Sequence, residues 1–143
     1  MQNRSIGPIA ALTAVAVTAG CGLTGSPANE PSQRSGKITV GDNTQHTQSV
    51  KCTQIKWGLT IDANAEPGRA HVFLQLGGEK PVVQTVNIEN IGGVSGVAGG
   101  DVGKAEASAN SSSIYTITGT AVASDVAHPG QTTNLPFKIE APC

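Results

Sequence analysis

Hydrophobic and polar residues alternate along most of the chain after residue 36, with the period of two that is typical of half-buried β-strands. Between residues 115 and 121, for example, the positions 115, 117, 119 and 121 alternate with three threonines. This alternation predicts six strands. Their apolar positions are Ile38 and Val40; Trp57, Leu59 and Ile61; Val72, Leu74 and Leu76; Val82, Val86 and Ile88, interrupted by Gln84; Tyr115, Ile117, Gly119 and Ala121; and Leu135, Phe137 and Ile139.

Turn sequences separate these strands, among them Glu66-Pro67-Gly68 and His128-Pro129-Gly130. Residues 101–110 suit either a short helix or a strand, and we favour a strand because alanines alternate at positions 105, 107 and 109. Six or more short strands with frequent turns predict a mostly β fold, an antiparallel sandwich or open barrel. We assign residues 37–143 to this one small domain, which is large enough to bury a single modest core.

The composition is mild for a protein of this size. Charged residues make up 13% of the chain and aromatic residues 3%, and the net charge is −1. Loss of Arg4 with the leader described below would leave eight of the nine basic residues against ten acidic ones, a net charge of −2. No basic patch or stripe is visible, so nucleic acid is not an expected partner.

Residues 1–20 have the organisation of a bacterial export signal. Arg4 and the amino terminus give a positive start, and the stretch from Ile6 to Val17 is apolar. A permanent membrane helix needs about 20 apolar residues, so this stretch is too short, and Pro8 also argues against such a helix. We therefore expect residues 1–20 to be removed as a signal peptide.

The tetrapeptide Thr18-Ala19-Gly20-Cys21 resembles the lipobox of bacterial lipoproteins, in which small residues precede a cysteine that receives a diacylglyceryl group. We expect Cys21 to carry this S-linked lipid and an N-acyl chain, since stable anchoring takes two or more chains. The protein would then lie on the extracytoplasmic side of the cell membrane. Thr18 departs from the motif, where an aliphatic residue is usual. Secretion after cleavage behind Ala16 and a structural role for Cys21 therefore remain as alternatives.

Residues 21–36 connect this cysteine to the predicted domain. After Cys21 the segment is rich in Gly, Ser, Pro, Asn and Gln, and Leu23 is almost its only large apolar residue. A segment of this composition cannot bury enough surface to order itself, which predicts a flexible tether.

Two further cysteines, Cys52 and Cys143, would lie in an oxidising location after export. A bridge between them would close a loop of about 90 residues, worth roughly 4.6 kcal/mol in the chain-entropy description. It would also fix the carboxyl terminus, which otherwise frays. The alternatives are two free thiols or a metal pair, but neither cysteine has a His or Cys neighbour at ligand spacing.

With these features in place, the chain resembles the mycobacterial 19 kDa lipoprotein antigen (LpqH-type) family over nearly its whole length. The matching positions are densest at the carboxyl-terminal end. They are Cys21, the acylation site; Val50-Lys51-Cys52-Thr53 and Cys143, the paired cysteines; and Tyr115–Ala121, Asp125, Ala127, Pro129, Asn134, Phe137, Ile139 and Glu140.

The resemblance implies a cell-envelope antigen whose acylated N-terminus is sensed by host Toll-like receptor 2, with ligand carriage as a further suggested role. It implies no cofactor other than the covalent lipid. The tether departs from the family pattern because it is shorter and poorer in Thr, which puts glycosylation of this segment in doubt.

No arrangement of residues predicts catalysis, so we do not expect an enzyme. His46, His71 and His128 are interpreted as surface residues, because nothing orients any of them against a hydroxyl such as Ser111. The six glycines between Gly92 and Gly103 match neither a dinucleotide fingerprint nor a Walker loop, so this segment is interpreted as a flexible loop.

Trp57 is the only tryptophan and shares the apolar face of its predicted strand, which favours packing in the core. The alternative is a ligand wall formed with Leu74 and Phe137. A pocket above roughly 300 Å³ lined by any of these three residues would favour a carrier of a small apolar ligand, such as a lipid. An anchored envelope antigen is the leading interpretation and a carrier is the alternative.

Overall fold

The computed structural model describes residues 34–143, which form ten antiparallel strands. The longest strands belong to the carboxyl-terminal half, where the alternation of apolar residues is most regular. The strands are β1 (Lys37–Val40), β2 (Asn43–His46), β3 (Ser49–Ile55), β4 (Gly58–Ala65), β5 (Gly68–Gln75), β6 (Val82–Ile91), β7 (Val94–Ala98), β8 (Lys104–Ala109), β9 (Ile114–Asp125) and β10 (Thr132–Pro142).

All of these strands belong to one sheet, in the order β2-β1-β10-β9-β7-β6-β5-β4-β3. β8 lies off this path and pairs with the first half of β9, while the second half of β9 pairs with β7. The sheet curls into a half-barrel. This confirms the predicted mostly β fold, an antiparallel open barrel or sandwich of short strands.

The core consists of the side chains on the concave face of this sheet. Alternate residues of β4 and β5 are buried, as the period-two pattern predicts. The same holds for the carboxyl-terminal parts of β9 and β10. The buried residues are mostly Ile, Val and Ala, whose modest volumes let opposite parts of the curled sheet approach each other. The largest fully buried side chains are Ile38, Val40, Ile61, Val72, Leu74, Val86, Ile88, Ile91, Ile117 and Ile139.

A β-bulge explains the irregular apolar pattern of β6. Thr85 pairs with Phe73 and Val83 with Leu74, so Gln84 is the extra residue. The bulge reverses the alternation, which leaves Val82 exposed and packs Val83 against the core. The expectation that Val82 shares the apolar face of Val86 is therefore wrong.

The interpretation of residues 92–103 as a flexible loop is also wrong. Val94, Gly96 and Ala98 are buried along β7, and two tight glycine turns flank this strand. Gly96 suits the close packing here, because a methyl group at this position would lie 3.2 Å from the side chains of Ala121 and Ala123. The many glycines thus allow a buried strand to approach its neighbours instead of indicating mobility.

The structure joins Cys52 to Cys143, the pair that the sequence predicts. Cys52 lies on β3, the strand at one end of the sheet, and Cys143 follows β10, which is third from the other end. The disulfide therefore links two parts of the sheet that are distant along its strand order. It also closes a long stretch of chain, since the two residues are 91 positions apart.

We expect Cys52→Ala in the mature protein to lower the free energy of unfolding by about 2–5 kcal/mol, because the loop would no longer be closed in the unfolded chain. Denaturant unfolding measures this loss. The double variant Cys52→Ala, Cys143→Ala serves as control and should unfold like the single variant, since both lack the bridge. Two titratable thiols in the unfolded but unreduced protein, in addition to any on Cys21, would contradict the pairing.

Candidate functional site

The described residues begin at Arg34, so the predicted acylation site Cys21 and most of the predicted tether lie outside them. Two hydrogen bonds fix the entering backbone. The Gly36 N–H donates to the Thr47 hydroxyl at 2.5 Å, and the Thr47 N–H donates to the Gly36 carbonyl at 3.0 Å. Thr47 is buried, which makes this pair of bonds a firm starting point for β1.

Two contacts define the direction from which the chain arrives. Gly36 lies against Val50, because a methyl group built on Gly36 would come within 3.2 Å of the Val50 side chain. The β1–β10 ladder ends at Lys37 and Glu140, and Cys143, three residues beyond Glu140, is bonded to Cys52. The start of β1 and the end of β10 therefore both lie beside β3, which leads on into the β3–β4 hairpin. We call this end of the half-barrel the entry end.

The structure does not assemble the predicted ligand wall. Leu74 and Phe137 are both buried in the core, whereas Trp57 is 67% exposed. The predicted packing of Trp57 in the core is therefore wrong. The depression that Trp57 lines includes neither Leu74 nor Phe137.

The tight β3–β4 turn explains the position of Trp57. Ile55 pairs with Gly58, so Lys56 and Trp57 form a two-residue loop, and Lys56 has a positive φ of 53°. Trp57 thus shares the parity of Leu59 without being part of the strand. Its carbonyl accepts a hydrogen bond from the Leu76 N–H at 2.6 Å, and its ring packs against Gly77.

Trp57 lies beside Ile55 and Phe73 on the convex face, and we call these three side chains the Trp57 patch. The ring of Phe73 covers Gly58, and a methyl group on this glycine would lie 3.0 Å from the ring. The three side chains border a surface depression of about 500 Å³ whose other lining residues include Thr53, Thr60, Gln75 and Gln84. Ile55 is 72% exposed, so the depression has an open apolar rim.

A polar cluster follows the Trp57 patch on the same convex face. His71 Nδ1 lies 2.6 Å from Asp62 Oδ1, and Arg69 Nε donates to Glu89 Oε2 at 2.6 Å. The hydrogen bond from Arg69 lowers the pKa of Glu89, opposed by desolvation. Exposed pairs of this kind contribute little to stability, so their arrangement matters mainly for the character of the surface.

The Asp62–His71 pair resembles two members of a catalytic triad, but a nucleophile is missing. Among the described residues, no hydroxyl or thiol side chain lines the depression of about 400 Å³ around this polar cluster. Sequence reasoning missed this pair although a signal was present. The two residues are each four positions from the two-residue loop Glu66-Pro67 within the predicted turn, which places them opposite each other in the hairpin.

The other predicted surface histidines are separate from this cluster. His46 lies on β2, a strand that the sequence reading treats as a polar loop, and borders a depression near the chain entry. His128 lies 3.9 Å from Asp125 in the β9–β10 turn. Among residues 34–143, no group of three His, Cys, Asp or Glu side chains is placed to hold a metal ion. In the same range, no helix has the length and hydrophobicity that crossing a membrane requires.

Comparison with known proteins gives one consistent result. Residues 29–143 match the model of the Mycobacterium 19 kDa lipoprotein antigen family. A protein of Mycobacterium indicus pranii named as a lipoprotein is 32% identical, and the match covers 100% of both chains. Lipoprotein LpqH of Mycobacterium tuberculosis is 35% identical over 75% of this chain and 68% of its own. Lipoprotein LppE of the same organism is 28% identical over 91% and 92%. These relatives are named as lipoproteins and not as enzymes.

The different surroundings of Leu74 and Trp57 give a direct test of the site geometry. Leu74→Ala should lower the free energy of unfolding by about 2–5 kcal/mol, because it leaves a cavity in the core. Trp57→Ser should cost less than about 1 kcal/mol, since the indole ring contacts mainly Gly77 and solvent. Urea unfolding of the two variants measures both values. An equally large loss for Trp57→Ser would contradict the exposed position of this side chain.

Proposed function

Because the chain belongs to the Mycobacterium 19 kDa lipoprotein antigen family, we propose that acyl chains on Cys21 anchor it in the cell envelope and that host Toll-like receptor 2 senses this acylated N-terminus. Family membership by itself supports a membrane-associated lipoprotein of the cell envelope. Acylation of Cys21, a location on the extracytoplasmic side and sensing by the receptor go beyond membership and are what we propose.

The amino-terminal sequence supports the choice of Cys21. The match to the M. indicus pranii lipoprotein extends over the whole chain and so includes the leader and the lipobox-like tetrapeptide. Cys52 and Cys143 are bonded to each other, which leaves Cys21 as the one cysteine whose thiol can accept a lipid. Two or three acyl chains give stable anchoring without a membrane-spanning segment.

The length of chain before the domain supports sensing through the lipid. Thirteen residue steps separate Cys21 from Arg34, and a fully extended chain of this length reaches about 45 Å. Acyl chains can therefore enter an apolar receptor channel without unfolding the β domain. Each buried CH₂ group contributes roughly 0.8 kcal/mol, so the lipid supplies most of the binding energy in this mode.

Carriage of a small apolar ligand is the second candidate function, and the depression beside Trp57 is the observation in its favour. Its volume of about 500 Å³ falls within the range of roughly 300–1,000 Å³ that is typical of ligand sites. However, carrier sites enclose roughly 70–90% of the ligand surface, and the exposed Ile55 and Trp57 cannot provide such an enclosure. The anchored antigen is therefore the better supported function.

The anchor is tested by Cys21→Ser, which removes the thiol that accepts the lipid. We expect this variant to leave the membrane fraction of mycobacterial cells, as measured by immunoblotting after fractionation. Ser26→Ala, which changes the tether and keeps the thiol, is the matched control and should remain with the membrane. If Cys21→Ser stayed with the membrane as fully as the wild-type protein, Cys21 would not be the anchor. If the wild-type protein were instead released into the medium without acyl chains, simple secretion would be favoured.

Receptor sensing is tested by separating the lipid from the domain. A synthetic acylated peptide covering Cys21 to Ser26 should activate a Toll-like receptor 2 reporter cell, because it carries the acyl chains that the receptor channel binds. The same peptide with a free thiol and the non-acylated protein from residue 37 to 143 should both be inactive. Strong signalling by the non-acylated domain would instead place the activity on the strand surface.

A further inference from the structure

Exposed large apolar side chains are concentrated at the entry end of the half-barrel. Seven such side chains occur among the described residues, and four of them, Ile55, Trp57, Phe73 and Val82, lie where β3, β4, β5 and β6 begin or end at this end of the sheet. The other three are valines at different places on the surface. A cluster of exposed apolar side chains around a tryptophan indicates a contact surface more than scattered single residues do.

The entry end is also the end from which the chain arrives. Gly36 lies against Val50 of β3, and Cys143 at the end of β10 is bonded to Cys52 of the same strand. Ile55 is only three residues beyond Cys52 on β3, a distance of about 10 Å along a strand. Val50 and Cys52 pack towards the core and the Trp57 patch lies on the convex face, so the chain entry and the patch are joined by β3, the strand that leads into the hairpin.

From this arrangement we infer that the Trp57 patch docks on the lipid bilayer that holds the acyl chains of Cys21, with the β3–β4 hairpin at the headgroup level. This inference rests on the proposed anchoring at Cys21. A chain of at most about 45 Å keeps the entry end close to the bilayer, so the patch meets the membrane far more often than any dissolved partner.

The side chains in the hairpin suit a membrane interface. Trp57 has an apolar ring with one N–H donor, the combination that concentrates tryptophan at headgroup depth in membrane proteins. Lys56, at the tip of the same turn, can place its ammonium group among phosphates while its stem lies along the apolar surface. Charges of both signs lie near this end, with Lys80 and Glu106 lining the depression beside Val82 and Lys37 3.8 Å from Glu140 at the chain entry. The apolar contact therefore provides most of the attraction.

The protein contains its own reporter, because Trp57 is its only tryptophan. The mature acylated protein is incorporated into vesicles of phosphatidylcholine and phosphatidylglycerol, and flotation verifies that it is anchored. Trp57 fluorescence is then measured with aqueous iodide and with lipids brominated near the headgroup. The soluble Cys21→Ser variant is the reference for an indole in water.

We expect iodide quenching to be about threefold weaker in the anchored protein than in Cys21→Ser, and brominated lipid to quench Trp57, because interfacial apolar groups enter the headgroup region by roughly 5–10 Å. Ile55→Ser removes a neighbouring apolar side chain and keeps the reporter, so it should restore much of the iodide quenching. Val126→Ser is the matched control and should change nothing. Val126 is 77% exposed but follows the far end of β9, about 36 Å from Ile114 at the entry end.

The outcomes separate this inference from the proposed function. Protein that floats with the vesicles while Trp57 remains as accessible to iodide as in Cys21→Ser overturns the docking and leaves the anchor intact. Protein that does not float overturns the anchor and the docking with it. Protection from iodide without quenching by brominated lipid means that another copy of the chain covers the patch, which also overturns the docking.

Discussion

A single antiparallel sheet with one apolar face must cover that face, and among the described residues no helix is available to do so. The sheet therefore curls until its own strands enclose the core, and the Cys52–Cys143 disulfide lies where distant strands of the sheet come together. β3 has a ladder partner on one side only, so the bond adds a second attachment to this edge strand. Small buried residues such as Ala63, Ala121 and Ala123 make the close approach feasible.

The sequence predicts the strands whose side chains alternate between core and solvent and misses those governed by other constraints. β4, β5, β9 and β10 have one buried face and one exposed face, so their period of two is visible. In β3, at the edge of the sheet, no residue is fully buried, and its pattern carries little signal. β7 is buried through Val94, Gly96 and Ala98, whose small side chains suggest a loop when the neighbouring strands are unknown.

The same reasoning explains which candidate site residues were placed correctly. A disulfide between Cys52 and Cys143 follows from cysteine count and compartment, which are properties of the chain alone. Whether the Trp57 side chain is buried depends on whether Trp57 is the last residue of a turn or the first residue of a strand. The alternation of apolar and polar residues cannot distinguish these two cases, because they differ by one residue. The Asp62–His71 pair follows from hairpin symmetry, which becomes useful once the turn is located.

Closure of the sheet also decides what lies beside the chain entry. Gly36 lies against Val50 and Cys143 is bonded to Cys52, so the start of β1 and the end of β10 both lie beside β3. Because β3 leads directly into the hairpin that carries Trp57, closure of the sheet also joins the chain entry to this hairpin through one strand. Residues that stabilise the fold, Thr47 at Gly36 and Cys143 at Cys52, therefore also decide which surface faces the end from which the chain arrives.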